Sequence, residues 1–186
     1  LKEINDIQAN GNHITHMLNT SDLIQIGGAA AIEYCGGPKL DIKIGRKPNA
    51  TNLSQVTAFP DPEFNLDDIK TKLGNGLGLS STEIVALFGH RTLGFYSNKL
   101  NHKEARWSVN PFVFDNNYYS ELLKKDTLYL KTSSDKALLS DSEYLEIIEK
   151  FAANQSLFFE EFKKVYTKVS EFGNEHLLEE KLVDHI

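Results

Sequence analysis

The sequence predicts a mainly α fold built as one domain, and three observations carry that reading. Phe158, Phe162, Val165, Val169 and Phe172 recur at +4, +3, +4 and +3, the spacing of one buried helix face. Ser80-Ser81-Thr82-Glu83 precedes an apolar run and has the form of a capping box, in which Glu83 reaches back to the cap. Strand character is confined to the short run Leu128–Lys131, so at most a short two-stranded element is expected.

The elements follow in chain order. Residues 1–20 are polar with scattered apolar positions and read as a short helix or an ordered arm. His13 and His16 stand three apart within it, with no third ligand near, and read as surface histidines. Thr20 or Ser21 is placed to cap a helix from Asp22 to about Tyr34, with Asp22 in the favourable first turn. Its small-residue middle, GGAAAIEY, suits close approach of another backbone or a flat ligand, and Gly36-Gly37-Pro38 ends it. Lys39 to about Asn65 reads as a long loop broken by Pro48, Pro60 and Pro62. A helix from Asn65 to about Leu73 is expected next, broken by the glycines of GNGLGLS. Ser80 or Ser81 opens a buried helix carrying Ile84, Val85, Leu87 and Phe88. Helices are then expected over about Asn116–Lys124, Ser142–Ala153 and Ser156–Phe172, the last stopped by Gly173. Glu175–Val183 reads as a charged terminal helix or tail. The domain organisation is therefore an arm over 1–20, the main domain over 21–173, and a tail over 174–186.

Composition narrows the function classes. A net charge of −6, with Arg46, Arg91 and Arg106 the sole arginines and no basic run, argues against a nucleic-acid surface. Cys35 is the single cysteine, so neither an internal disulfide nor a cysteine-based zinc site is expected. No apolar run approaches the ~20 residues that span a bilayer, and the opening LKEINDIQAN lacks the form of a signal peptide. Phosphate-cradling, dinucleotide, GxSxG and HExxH patterns are all absent.

Several segments share their order and spacing with one family. SDLIQIGGAAAIEYCGGP, the IGR of Ile44–Arg46, TEIVALFGHRTLG, RWSVNPFVFDNNYYSELL, SSDKALLSD and FAANQSLFFEEF together resemble the class I haem peroxidases, most closely ascorbate peroxidase. The resemblance covers about Ser21 to Phe172 and implies the proximal half of a haem-peroxidase-like helical fold. Chemistry of that family needs a neutral imidazole on iron, oriented by a buried carboxylate and packed beside a tryptophan. The resemblance places Trp107 at the tryptophan position, Asp135 at the carboxylate position and Arg91 where the ligand histidine stands. A guanidinium stays protonated and offers no lone pair to a metal. His90 is adjacent, turned by about 100° on a helix, and is the ligand in an alternative reading that needs a local slip.

Two further departures are expected from the same resemblance. The distal R-x-x-W/F-H motif occurs nowhere in the chain, and the substrate-binding arginine position falls at Leu100. The resemblance also implies a monovalent, potassium-like cation site at Thr92, Ser108, Asn110, the Val113 carbonyl and Asp115, whose hard oxygens suit such an ion. The other reading of these groups is that they cap helices and bond one another.

The expected function is that of a pseudoperoxidase without haem: a non-catalytic accessory or structural subunit. Its expected partners are a related peroxidase-like chain and a large organellar membrane complex, in a mitochondrion or, alternatively, a plastid. The competing expectation is a haem-dependent peroxidase that reduces hydrogen peroxide, using His90 with distal residues supplied elsewhere. An Arg91–Asp135 ion pair is expected in the first reading, because an unpaired buried arginine is costly.

Overall fold

Seven α-helices and four three-residue strands make up the described residues of the computed structural model, which are 18–46, 61–98, 103–174 and 180–182. Residues 1–17 of the expected arm, with His13 and His16, lie outside them, as do residues 47–60 of the long loop, Leu100, and residues 175–179 and 183–186 of the tail. Within the described residues the architecture is mainly α, as the sequence predicts.

Helix α1 spans Thr20–Tyr34 and is capped by Asn19, whose Oδ1 accepts from the Asp22 N–H at 2.9 Å. The cap thus sits before Thr20 and Ser21. The reason is tertiary: Asn19 also donates its side-chain amide to the Arg46 carbonyl, and Asp22 is drawn inward to Arg46 at 2.8 Å. Arg46 in turn donates Nε and Nη2 to the Ser170 carbonyl at 3.1 and 2.8 Å. One buried guanidinium thereby ties α1 to the far end of the chain. The small-residue stripe of α1 serves packing, since a Cβ at Gly28 would lie 2.7 Å from the Tyr166 hydroxyl.

Helix α2, Leu66–Asp68, carries a capping box between Asn65 and Asp68 and widens directly into a π-helical stretch, Ile69–Asn75. Gly74 and Gly76 therefore lie inside the helical path rather than breaking it, and the stop comes at Gly78 with φ +64. Helix α3, Ser81–Phe88, is the hub. Ser80 caps it in a reciprocal box with Glu83, and Ile84, Val85, Ala86, Leu87 and Phe88 are all buried. A 3-10 turn, Gly89–Thr92, continues it.

Beyond that turn come β2 (Tyr96–Asn98) and β3 (Lys103–Ala105), α4 (Asn117–Leu123), α5 (Ser133–Ser140), α6 (Ser142–Ala153) and α7 (Gln155–Glu171). Strand β2 pairs antiparallel with β3, while β1 (Ile42–Ile44) pairs antiparallel with β4 (Glu180–Leu182). The strand content is thus two small ribbons. Leu128–Lys131 forms neither: Leu128 is fully exposed, and the run makes one backbone bond, Leu130 N–H to the Arg106 carbonyl at 2.9 Å. Without a partner strand its β propensity has nothing to act through. Glu180–Leu182 is extended where a helix is expected, because the open edge of β1 offers backbone partners, and that tertiary pairing overrides the helix preference of Glu, Lys and Leu.

Aromatic rings fill the centre. Phe114, Tyr119, Phe151, Phe158 and Phe162 interlock with centroids 4.8 to 5.9 Å apart, the separation of favourable edge and tilted contacts. Phe158, Phe162 and Val165 of the α7 stripe are buried, whereas Phe172, just past the helix, is half exposed. Among the described residues no helix is long and apolar enough to cross a membrane.

Candidate functional site

Asp135 is fully buried, and its position follows from a local signal. Thr132 caps α5, with Asp135 at the third helical position closing a capping box, so one carboxylate oxygen accepts the Thr132 N–H at 2.7 Å. The same oxygen accepts the Trp107 indole N–H at 2.9 Å and the Thr132 hydroxyl at 2.9 Å. Its other oxygen accepts the Tyr118 hydroxyl at 2.7 Å and Arg91 Nη1 at 2.5 Å. The structure thus brings Arg91, Trp107 and Asp135 together, with the expected ion pair made.

Arg91 reaches this carboxylate because α3 tightens into the 3-10 turn at Gly89. Its Nη1 also donates to Thr132 Oγ1 at 3.1 Å. The guanidinium packs 4.6 Å from the centroid of the Phe88 ring and 5.5 Å from that of Trp107, contacts that suit a cation facing π density. Nη2 is buried without a hydrogen-bond partner. Burial, reinforced by the adjacent Asp135 charge, raises the Tyr118 phenol well above its usual range, so Tyr118 stays a neutral donor.

Tyr118 and Thr132 complete this network, and residue-level reading of the sequence did not single them out. A signal existed for Thr132, because Thr132-Ser133-Ser134-Asp135 is itself a capping-box pattern. None existed for Tyr118, whose inward direction depends on how α4 docks.

His90 faces elsewhere. Its Nδ1 lies 2.8 Å from the Leu87 carbonyl; a carbonyl only accepts, so the proton is on Nδ1 and Nε2 is left as a bare acceptor. Protein packed around the ring pushes its pKa down towards about 4, helped by the Arg91 charge and opposed by the Leu87 bond and Asp135, while the residue keeps an exposed face. The ring nevertheless opens onto a cavity of about 360 Å³ between α1, α3 and α7, where the solvent that reaches it moderates the shift.

The five expected cation-site residues are also neighbours. Thr92 Oγ1 donates to Asp115 Oδ1 at 2.9 Å and lies 3.4 Å from the Val113 carbonyl. Ser108 Oγ donates to the Thr92 carbonyl at 2.7 Å, and Asn110 Oδ1 accepts the Phe112 N–H at 3.1 Å. Asp115 further accepts the Asn117 N–H at 2.9 Å. Thr92, Asp115 and the Val113 carbonyl converge, Ser108 joins them through the Thr92 carbonyl, and the Asn110 side chain is engaged by nearby backbone at Phe112.

Comparison with known proteins adds a lineage to this geometry. Residues 1–154 match the family described as "Peroxidase". The chain is 37% identical over 157 residues to "L-ascorbate peroxidase 1, cytosolic" of Oryza sativa subsp. indica, covering 84% of this chain and 62% of that protein. It is 35% identical over 164 residues to "L-ascorbate peroxidase 2, cytosolic" of Arabidopsis thaliana, with the same coverage. Against "L-ascorbate peroxidase 5, peroxisomal" of the same plant, identity is 35% over 156 residues, with 82% and 54% covered. The chain thus spans less than two thirds of the length of these relatives.

Proposed function

This chain belongs to the peroxidase family, and from that membership we propose that it is a non-catalytic member, a pseudoperoxidase acting as an accessory subunit beside a related peroxidase-like chain in a mitochondrial membrane complex. The single observation that carries the reading is the Arg91–Asp135 pair, with 3% and 0% of the two side chains exposed. Haem, if bound, would supply an iron centre for peroxide chemistry, and that centre would need a lone pair from the protein. Arg91 does not fit the role: a guanidinium has none to give, and this one is engaged with the very carboxylate that would orient an imidazole. The residues present instead do a structural task, in which Arg91, Tyr118, Trp107 and Thr132 all converge on Asp135.

Support for a partner comes from the surface. Phe95, Val109, Phe112 and Val113 are exposed, and Phe95 and Phe112 meet edge to face at 5.8 Å. An exposed pair of touching aromatic rings is the kind of apolar surface a protein partner covers. The oxygen cluster at Thr92, Val113 and Asp115 is assigned, within the same proposal, to a potassium-like cation.

One observation favours a second reading, that of a haem protein ligated through His90. The Nε2 lone pair of His90 is bare, and its tautomer is the one metal-ligating imidazoles adopt when Nδ1–H is held by a carbonyl. Purification of the native protein decides between the two. The first reading expects a second chain to co-purify, with no Soret absorbance and a mitochondrial fractionation profile. A stoichiometric Soret band that disappears in His90→Ala replaces it with the second. Arg91→His is expected to create haem absorbance that the native chain lacks, since its imidazole can donate to Asp135.

A further inference from the structure

We propose that the cavity between α1, the end of α3 and α7 is a binding site for a neutral one- or two-ring aromatic molecule carrying a single hydroxyl or N–H donor. Its apolar walls are Ile32 from α1, Leu87 from α3, and Phe162 and Val169 from α7. The volume of about 360 Å³ falls in the range of small-molecule sites, which surround a ligand with apolar surface and fix it by a few polar groups.

The polar lining is sorted by the bonds already made. The Ser170 hydroxyl donates to the Thr167 carbonyl at 2.9 Å, and the Tyr166 hydroxyl is turned towards the Gln25 carbonyl at 3.4 Å. His90 has given its one proton to the Leu87 carbonyl, so the ring offers the cavity an acceptor. None of the lining residues is charged, so an ionic ligand would be desolvated without a counter-charge. A pure hydrocarbon would leave the His90 acceptor unpaired when water is displaced. An aromatic ring with one donor satisfies both constraints, its donor on His90 Nε2 and its ring among Leu87, Phe162 and Val169. The site depends only on this cavity and stands whether or not the chain is an accessory subunit.

Fluorescence titration of the purified protein with 2-naphthol and with naphthalene tests it. The expected result is saturable binding of both at one site, with 2-naphthol preferred about fivefold, the worth of one net hydrogen bond. His90→Leu is expected to erase that preference while naphthalene still binds. Val169→Trp, and independently Gln25→Trp from the opposite wall, are expected to abolish both by filling the cavity. Circular dichroism and cooperative thermal unfolding identify which variants are folded. No saturable binding by the native chain, a preference that survives in His90→Leu, or binding that survives in a folded filled variant each overturns the proposal.

Discussion

The Arg91 guanidinium meets the Asp135 carboxylate at 2.5 Å, deep in the protein, and that carboxylate simultaneously accepts from Tyr118, Trp107 and Thr132. Removing one partner of a buried pair strands the other charge. Arg91→Ala is expected to lower stability by about 3 kcal/mol. Asp135→Ala is expected to cost more, because it orphans the Trp107, Tyr118 and Thr132 donors as well as the arginine. Urea unfolding of the two variants checks the order. Equal losses would mean that the additional donors contribute nothing.

Gly89 ends α3 with an ordinary φ of −60, so its backbone conformation does not demand glycine. Its surroundings do: a Cβ there would run into the Phe158 ring and the Tyr119 hydroxyl. Both rings are fully buried and locked among other aromatics, so neither yields cheaply. Gly89→Ala is expected to destabilise by about 2–3 kcal/mol, as an overpacked core does. An unchanged denaturation midpoint would show that α3 and α7 have slack.

Stability is expected to depend on pH through His90. Its folded pKa is depressed towards about 4 by the protein packed around the ring, a shift that the exposed face of the residue moderates, against about 6.5 when unfolded. Between those values the unfolded chain holds a proton that the folded chain lacks, so stability rises with pH across the window and is lost as pH falls through it. Denaturation at pH 5 and pH 7 should show a smaller difference in His90→Asn than in the native chain. An identical difference would assign the acid sensitivity to other groups.

The oxygen cluster at Thr92, Val113 and Asp115 predicts a cation effect. Replacing tetramethylammonium chloride by potassium chloride at equal ionic strength is expected to raise the melting temperature by about 2–4 °C, the scale of about 1 kcal/mol for a chain of this size. Asp115→Asn should remove the rise. A shift of the same size in the variant would make it a general salt effect, leaving the cluster's own hydrogen bonds as its whole role.

Local signals in the sequence located most helices. The Ser80–Glu83 box starts α3 one residue after its cap, Ser142–Ala153 matches α6, and the Phe158–Val165 periodicity gives the buried face of α7. Each depends on neighbours within four residues, which a reader of the sequence has in hand. The misses share the opposite property. Asn19 rather than Thr20 or Ser21 caps α1 because Arg46 and Asp22 meet across the fold. The π-helical path through Gly74 and the two ribbons likewise depend on what packs alongside; α5 is the exception, since its Thr132–Asp135 capping box is a local signal.

For the site, residue order alone names the cast: an arginine beside a histidine after a buried helix, a tryptophan sixteen residues on from the arginine, and an aspartate in a capping box. Resemblance to a family grouped three of them around one point. Their pairing is a matter of packing across the fold, because a buried carboxylate takes whichever donors α3, α4 and α5 deliver to it. Packing sent Arg91 to Asp135, added Tyr118 and Thr132, and turned His90 outward, one residue along the chain, to a cavity of its own. A one-residue step redirects a side chain by about 120° in the 3-10 turn that carries both residues, and which of the two neighbours faces the interior is settled by the rings and carboxylate waiting there.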